Sequence, residues 1–177
     1  MTPDALRFLL SAERLYVDCW TRAFLAEQVN PAGLHRICNV GIGQGGFDDW
    51  LGLWVPQESE VVSIDIDGDV CDRFRAHQQH VGHPHPSNVV HADLLRAELG
   101  PFDLVTVTGS TLHETHVPLR ALDAARAWVV SGGWLFVVIL HTMGDPDRLL
   151  QGLPGVVARR TFDRLDRAEF TVALARR

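Results

Sequence analysis

The sequence contains no lysine, because all 16 of its basic residues are arginine. This absence excludes the phosphate-binding lysine of a P-loop and a Schiff-base lysine. The three cysteines, Cys19, Cys38 and Cys71, include no Cys-x-x-Cys pair. That pattern predicts neither a disulfide framework nor a zinc finger, and we expect all three thiols to be buried as small apolar side chains.

Long apolar runs are also missing, since no stretch reaches the roughly 18 residues typical of a membrane span. The first residues lack the charged-then-apolar layout of a signal peptide, so we expect a cytoplasmic protein. The chain has 177 residues, of which 46% are hydrophobic, enough for one sizeable core. The simplest organisation is a single domain over 1–177, with an N-terminal helical cap (1–30) and a core (35–177).

Positive charge is scarce over most of the chain, and the formal net charge is −6. Only residues 148–177 are locally basic, with seven arginines against three acids. Most of these arginines are expected at solvated strand and turn positions. The overall charge disfavours a nucleic-acid partner and leaves a small-molecule substrate as the expectation.

Strands and helices alternate from residue 35 onwards, which is typical of a mostly parallel sheet covered by helices. The predicted strands are 35–40, 60–66, 88–91, 102–108 and 134–140. The predicted helices between and after them are 48–55, 68–80, 93–99, 117–130 and 145–150, with Gly132-Gly133 terminating the fourth. Two further strands, 156–162 and 170–175, have no helix between them and predict an antiparallel hairpin.

A helix is also predicted before the first strand. Thr2-Pro3-Asp4 is typical of a helix start, and Asn30-Pro31 of a stop. An apolar stripe suited to packing against a larger surface is formed by Leu6, Leu9, Leu10, Tyr16, Trp20 and Phe24.

A glycine-rich loop, Gly41-Ile42-Gly43-Gln44-Gly45-Gly46, follows the first predicted strand and precedes the first helix of the core. Glycine permits turns with positive φ and lets a ligand approach bare backbone. The loop fits both G-x-G-x-x-G and G-x-G-x-G, so on its own it is compatible with a dinucleotide or with S-adenosylmethionine.

Acidic residues end the next two predicted strands. Asp65, about 20 residues past the glycines, is placed to accept hydrogen bonds from two ribose hydroxyls. Asp93 follows the third strand, where its carboxylate would lie beside an adenine ring. Asp67 and Asp69 are expected to be surface acids or a cap for the next helix.

Taken in order, these segments resemble the class I S-adenosylmethionine-dependent methyltransferases. The resemblance spans about residues 35–177 and rests on VGIGQGGF, VVSIDID, VVHADLL, FDLVTVTGS, the Ser131–Trp134 step and the closing hairpin. It implies an α/β, Rossmann-like three-layer sandwich whose seven-stranded sheet is mostly parallel, with an antiparallel C-terminal hairpin strand. It also implies S-adenosylmethionine as the cofactor.

The resemblance assigns roles to individual residues. Gly41, Gly43 and Gly45 would hold the methionine part of the cofactor, and Asp65 would bind the ribose. The adenine ring would lie against Ile66 and Leu94, with its amine bound by Asp93. Thr108 and Gly109 would line the floor of the site near the sulfonium.

Departures from known subfamilies narrow the chemistry. The Thr108–Thr111 segment is not the Asp/Asn-Pro-Pro-Tyr/Phe box of amino-methylating enzymes, carries no metal-binding acid, and has no catalytic cysteine. An acceptor hydroxyl or ammonium needs a base, and His113 is the first candidate, followed by His141. His116 and Glu114 lie nearby in sequence. Two groups of histidines, His113 with His116 and His83 with His85 and His91, lack a familiar zinc-ligand spacing, so no metal site is predicted.

The sequence therefore predicts a metal-independent methyltransferase that acts on the oxygen or nitrogen of a small molecule. Two alternatives stay open: a cofactor-binding protein of the same fold without methyl transfer, and an NAD(P)-dependent oxidoreductase. The second is weakened by the absence of a Tyr-x-x-x-Lys pair. Association into a homodimer is left open.

Overall fold

The computed structural model describes residues 12–108, 111–142, 144–163 and 169–177. One sheet contains seven strands: β1 Arg36–Val40, β2 Glu60–Asp65, β3 Asn88–His91, β4 Phe102–Val107, β5 Val129–Leu140, β6 Val156–Asp163 and β7 Glu169–Arg176. Six helices lie in the described residues: α1 Ala12–Gln28, α2 Gly46–Trp54, α3 Gly68–Val81, α4 Thr111–Glu114, α5 Pro118–Ala127 and α6 Pro146–Gln151.

The strand order is β3-β2-β1-β4-β5-β7-β6. All neighbouring pairs are parallel except those that involve β7, which runs antiparallel to both β5 and β6. The predicted Rossmann-like sheet with an antiparallel C-terminal strand is therefore confirmed. The chain leaves β1 towards one edge and β4 towards the other, so the crevice of this sheet opens at the carboxyl ends of β1 and β4.

Two apolar layers, one on each face of the sheet, form the core. On one face, α1 and α2 cover Ile37, Leu104 and Phe136; on the other, α5 and α6 cover Val105 and Val137. Residues from adjacent positions of one strand reach opposite layers because strand side chains alternate. Burial of each large side chain stabilises the fold by about 1.5–3 kcal/mol.

Helix α1 packs through its aromatic residues. Phe24 is buried and stacks with Phe136, with ring centroids 6.3 Å apart. Trp20 stacks on Phe162 of β6 at 5.2 Å. These contacts confirm a packing role for the aromatic part of the predicted stripe, while Thr2-Pro3-Asp4, Leu6, Leu9 and Leu10 lie outside the described residues.

Two predicted helices differ from the structure. Residues 93–99 form a single turn, in which the Asp93 carbonyl accepts from Arg96 N and Ala97 N. The helix does not continue, because Leu94, Ala97 and Leu99 pack onto the core from an extended chain that must reach β4 at Phe102. The helix predicted over 117–130 ends at Ala127, and β5 begins at Val129.

The Gly132-Gly133 pair accordingly lies inside β5 and does not terminate a helix. Gly132 has a φ of +76°, and the register between β4 and β5 shifts between Phe102 and Leu104. A Cβ on Gly133 would lie 2.8 Å from the carbonyl oxygen of Asp103. The two glycines thus belong to a β-bulge that lets β5 pass close to β4.

The structure also bears on the expectations for the cysteines and for membrane-spanning helices. Cys38 and Cys71 are buried as expected, but Cys19 is exposed on α1, so the expectation was wrong for that thiol. None of the helices in the described segments is long and apolar enough to cross a membrane. The division into a 1–30 cap and a 35–177 core stays a prediction.

The bulge in β5 leads to a stability test. Gly133→Ala should lower the free energy of unfolding by about 1–3 kcal/mol, because the new Cβ would press on the Asp103 backbone. Gly33→Ala is the matched control, since a Cβ there meets nothing within 4 Å. Urea unfolding followed by tryptophan fluorescence measures both, and equal stability of the two variants would contradict this account of the bulge.

Candidate functional site

The glycine loop lies at the carboxyl end of β1, where the crevice opens. Gly41, Gly43 and Gly45 all have positive φ, at +87°, +55° and +78°. A Cβ would lie 1.8 Å from Thr111 Oγ1 at Gly41 and 2.2 Å from the Phe74 ring at Gly45, whereas at Gly43 it would meet nothing within 4 Å. Packing therefore requires glycine at two of the positions, and at Gly43 the backbone is bare towards open space.

The Asp65 carboxylate, at the end of β2, holds this loop in place. Its Oδ2 accepts from the backbone N–H of Ile42 at 2.9 Å and of Gly43 at 3.3 Å. Its Oδ1 accepts from Asp67 N at 2.9 Å. Because a carboxylate offers about four acceptor sites, three protein donors leave little spare capacity. Two ribose hydroxyls would share these oxygens with the loop amides, and the long Gly43 contact is the weakest of the three.

Apolar side chains and a second carboxylate lie next to Asp65. Ile66 is 68% exposed although it is large and apolar, and it lines the same cavity as Leu94. Asp93 Oδ1 accepts from Leu95 N at 2.9 Å, and its Oδ2 lies 3.4 Å from Arg96 Nε. The predicted acids, isoleucine and leucine are thus brought to one wall, with Asp93 also stabilising the turn that follows β3.

One cavity of about 1080 Å³ joins these features. The volume lies just above the roughly 300–1,000 Å³ typical of small-molecule sites, so it suits a cofactor together with a second small ligand. Its wall includes Gly41, Gly43, Asp65, Asp93 and Thr108. The remaining predicted residue of the floor, Gly109, lies outside the described residues.

The opposite wall comes from α1, which carries none of the predicted site residues. Four residues at helical spacing face the cavity: Arg14, Val17, Asp18 and Thr21. Helix α1 is fixed there by Arg22, whose Nη2 donates to the Gly46 carbonyl at 2.8 Å. A sequence signal existed, because the polar residues Asp18 and Thr21 lie between the aromatic positions of the apolar stripe.

Neither predicted histidine is among the described residues that line the cavity. His113 Nε2 accepts from Leu140 N at 3.3 Å. His141 lies between Thr171 Oγ1 at 2.8 Å and Glu169 Oε2 at 3.0 Å. His116 and Glu114, which received less weight, do line the cavity. His113 belongs to the helical turn α4, whereas His116 lies two residues beyond its end, so the two side chains have different surroundings.

A buried polar network lies beneath the glycine loop. Asn39 Nδ2 is 3.0 Å from both carboxylate oxygens of Asp48. Asn39 Oδ1 accepts from Thr106 Oγ1 at 2.7 Å and from Thr108 Oγ1 at 3.4 Å. The network links the first turn of α2 to Thr108 on the cavity wall.

The sequence analysis placed Asp48 only at the start of a helix and did not predict that its carboxyl is buried. It is 1% exposed, and burial raises the pKa of its carboxyl to about 7, although hydrogen bonds from Ser63 and Asn39 act in the opposite direction. Its burial could have been inferred from its position three residues before Leu51, which places both residues on the apolar face of α2.

Other ionisable groups in the core are less suited to chemistry. Burial raises the pKa of the Cys38 thiol and also that of the Cys71 thiol, so neither is a reactive thiolate. Within the part of the chain that the structure describes, no three His, Cys, Asp or Glu side chains are grouped to hold a metal ion.

Comparison with known proteins assigns the chain to a family. A family model described as a methyltransferase domain matches residues 38–137, which include the last three residues of β1, all of β2 to β4, the glycine loop and both strand-end acids. The chain belongs to this family. Its class I S-adenosylmethionine-dependent methyltransferase fold and its cofactor, S-adenosylmethionine, agree with the resemblance seen in the sequence.

Solved structures with the same fold have distant sequences. The N-methyltransferase NodS from Bradyrhizobium japonicum WM9, in complex with S-adenosylhomocysteine, is 16% identical with a TM-score of 0.77, over 99% of this chain and 92% of that one. The magnesium protoporphyrin IX methyltransferase from Synechocystis PCC 6803, with bound S-adenosylmethionine, is 13% identical with a TM-score of 0.76, over 93% and 80%. The cyclase SpnF is 15% identical with a TM-score of 0.76, over 90% and 80%. A search of curated protein sequences finds no match.

The residues of this methyltransferase fold suit the cofactor. Bare backbone at Gly43 faces open space, and Ile66, which is largely exposed, presents an apolar surface on the cavity wall. A ligand with a polar tail and a flat ring system explains both features. Asp65 joins them, because its carboxylate accepts from Gly43 N and it directly precedes Ile66 in the sequence. A nucleoside joined to an amino acid has this chemistry.

The buried carboxyl of Asp48 makes a testable contribution to stability. Its pKa of about 7 in the folded state exceeds the ordinary value of 3.8, so from about pH 4 to 7 the folded state binds more protons than the unfolded state. The free energy of unfolding therefore falls as the pH rises through this window. We expect Asp48→Asn to lose this component, so that the variant gains stability relative to the wild type between pH 5 and 8.

Urea unfolding at several pH values measures the effect. The exposed Glu58→Gln is a control for the loss of one carboxylate, and its curve should run parallel to that of the wild type. A constant stability difference between Asp48→Asn and wild type across the whole range would contradict a raised pKa at Asp48.

Proposed function

We propose that the protein is a metal-independent methyltransferase that transfers a methyl group from S-adenosylmethionine to an oxygen or nitrogen of a small molecule. One observation carries the proposal: a single cavity of about 1080 Å³ extends from the glycine loop and Asp65 to the wall formed by α1. That space accommodates a donor at one end and an acceptor at the other.

The proposed donor site uses the residues that the sequence singled out. The loop Gly41–Gly45 takes the methionine part, Asp65 the ribose, and Ile66 and Leu94 the adenine ring. Asp93 accepts from the adenine amine, and Thr108 lies near the sulfur, with Gly109 following it in sequence. This assignment is supported by the bare Gly43 backbone, the position of the Asp65 carboxylate and the exposed apolar surface of Ile66.

The chemistry divides between cofactor and protein. When bound, S-adenosylmethionine supplies a methyl group whose bond to sulfur breaks with its electron pair left on sulfur, while an acceptor lone pair forms the new bond and the acceptor loses a proton. The protein aligns the acceptor and excludes water, and Val138, Leu140 and Phe47 give the cavity the apolar surface for this.

A group at the cavity wall is needed to pass the acceptor's proton to solvent. His116 is exposed and lines the cavity, so it is our candidate, with Glu114 beside it on the same wall. His113 and His141 are less suited, because His113 contacts Leu140 N, and His141 contacts the β7 side chains Thr171 and Glu169.

Cofactor binding tests the first half of the proposal. Calorimetric titration should show S-adenosylhomocysteine binding with negligible NADH binding. Asp65→Ala should weaken S-adenosylhomocysteine binding at least tenfold, since the ribose hydroxyls lose a charged acceptor, which is worth about 1.5–3 kcal/mol. Asp69→Ala, the exposed acid in the first turn of α3, is the control and should bind like wild type.

Methyl transfer tests the second half. Incubation with methyl-labelled S-adenosylmethionine and a panel of small alcohols and amines, with and without EDTA, should label at least one acceptor at an EDTA-insensitive rate. Tight binding of NADH alone would support the oxidoreductase alternative. Tight S-adenosylhomocysteine binding without labelling of any acceptor would instead favour a cofactor-binding protein without methyl transfer.

A further inference from the structure

Helix α1 brings one hydroxyl to the cavity that has no protein partner. Thr21 is 3% exposed and lines the cavity, and its buried Oγ1 forms no hydrogen bond with any residue that the structure describes. An unsatisfied buried hydroxyl costs about 1–3 kcal/mol. Among the described cavity residues, Thr108 and Thr111 both donate to protein oxygens. The exception at Thr21 therefore points to a ligand that completes its hydrogen bonding.

The charge of the wall limits what that ligand is. Among the residues that the structure describes, five carboxylates line the cavity, on Asp18, Asp65, Asp67, Asp93 and Glu114, together with one guanidinium, on Arg14. Asp65 and Asp93 are assigned to the nucleoside, and Asp67 caps α3. Asp18 precedes Thr21 by three residues and so lies on the same face of α1. A negatively charged wall favours a cationic ligand over a neutral or anionic one.

The pairing of Asp18 with Arg14 leaves room for such a ligand. Arg14 Nε lies 3.4 Å from Asp18 Oδ2, a long contact that engages one carboxylate oxygen only. The other oxygen retains its acceptor capacity. An ammonium group has several N–H donors and binds a carboxylate through charge-assisted hydrogen bonds, while it also donates to a hydroxyl oxygen such as that of Thr21.

Apolar residues surround this polar pair. Val17 lies next to Asp18 on α1, and Val138 and Leu140 come from the carboxyl end of β5; all three line the cavity. They belong to the same apolar layer of the sheet as Phe24. The surroundings suit a ligand whose polar group is carried by a hydrocarbon or aromatic body.

We propose that Asp18 and Thr21 bind the amino group of the acceptor, so that the substrate is a small amine with an apolar body. The bound ammonium first loses one proton to solvent by way of His116, and its nitrogen lone pair then displaces the methyl group from sulfur. This inference rests on the proposed methyltransferase function and narrows it from oxygen or nitrogen acceptors to nitrogen. Asp18 and Thr21 are binding residues for the acceptor in this scheme, separate from the residues that hold the cofactor.

The test compares matched amines and alcohols on protein saturated with S-adenosylhomocysteine. The probes are 2-phenylethylamine against 2-phenylethanol and hexylamine against 1-hexanol, with binding measured by calorimetry and by tryptophan fluorescence. At least one amine should bind at least tenfold more tightly than its alcohol. Labelled methyl transfer in the presence of S-adenosylmethionine should show the same preference.

Three variants assign the effect to the two residues. Asp18→Asn should weaken amine binding at least tenfold and bring it close to that of the alcohol. Thr21→Val removes the hydroxyl at nearly constant shape and should weaken amine binding about threefold to tenfold, whereas Thr21→Ser should retain it. Asp123→Asn, an exposed acid on α5, is the charge control.

S-adenosylhomocysteine affinity separates this inference from the function on which it rests. All variants should bind S-adenosylhomocysteine within twofold of wild type. Thermal unfolding should be that of the wild type except in Thr21→Val, which should unfold at a higher temperature because it lacks the unsatisfied hydroxyl. Failure of the wild type to bind S-adenosylhomocysteine would overturn the proposed function. With that binding intact, the amine subsite is overturned by equal affinities for amines and alcohols, by no amine binding at all, or by unchanged amine affinity in Asp18→Asn.

Discussion

Three backbone N–H groups converge on the carboxylate of Asp65, and the architecture of the site depends on them. They come from Ile42, Gly43 and Asp67, so one side chain at the end of β2 fixes both the glycine loop after β1 and the start of α3. The loop alone has little to hold it, because glycine is the residue with the largest loss of conformational freedom on folding. A charged acceptor offsets part of that loss, since hydrogen bonds to a carboxylate are stronger than those between neutral groups. The same oxygens are those that a ribose would use, which couples the shape of the loop to cofactor binding.

How much of this was predictable from the sequence depends on whether the signal was local. The glycine loop, Asp65 and the alternation of strands and helices were predictable, because turn geometry and hydrophobic periodicity are properties of short segments. The helix predicted over 93–99 failed, because Leu94, Ala97 and Leu99 are held by the core and not by a helical period. The glycines at 132 and 133 resembled a helix stop, and only the close approach of β4 shows that they form a bulge.

Within the site, the direction of side chains was the part that the sequence could not provide. His113 and His116 are three residues apart after β4, and only His116 lines the cavity. Likewise, the sequence showed that α1 is amphipathic but not which polar residues face the cofactor crevice. That depends on how Phe24 and Trp20 seat the helix on Phe136 and Phe162, and on the Arg22 contact with Gly46. The face that α1 turns to the cavity is therefore a consequence of packing on another side of the same helix.

The buried pair of Asn39 and Asp48 gives the floor of the cavity its polarity. With its Nδ2 directed at the Asp48 carboxyl, Asn39 must present Oδ1 to Thr106 and Thr108, so both hydroxyls act as donors towards it. Once the Thr108 hydrogen is used in this way, only oxygen lone pairs are left to face the cavity. Lone pairs attract a positive charge, whereas a hydroxyl hydrogen would repel it. The buried Asp48 carboxyl thus makes the end of β4 a surface of hydrogen-bond acceptors. Such a surface suits a site with a negative wall and an expected methyl donor that carries a cationic sulfur.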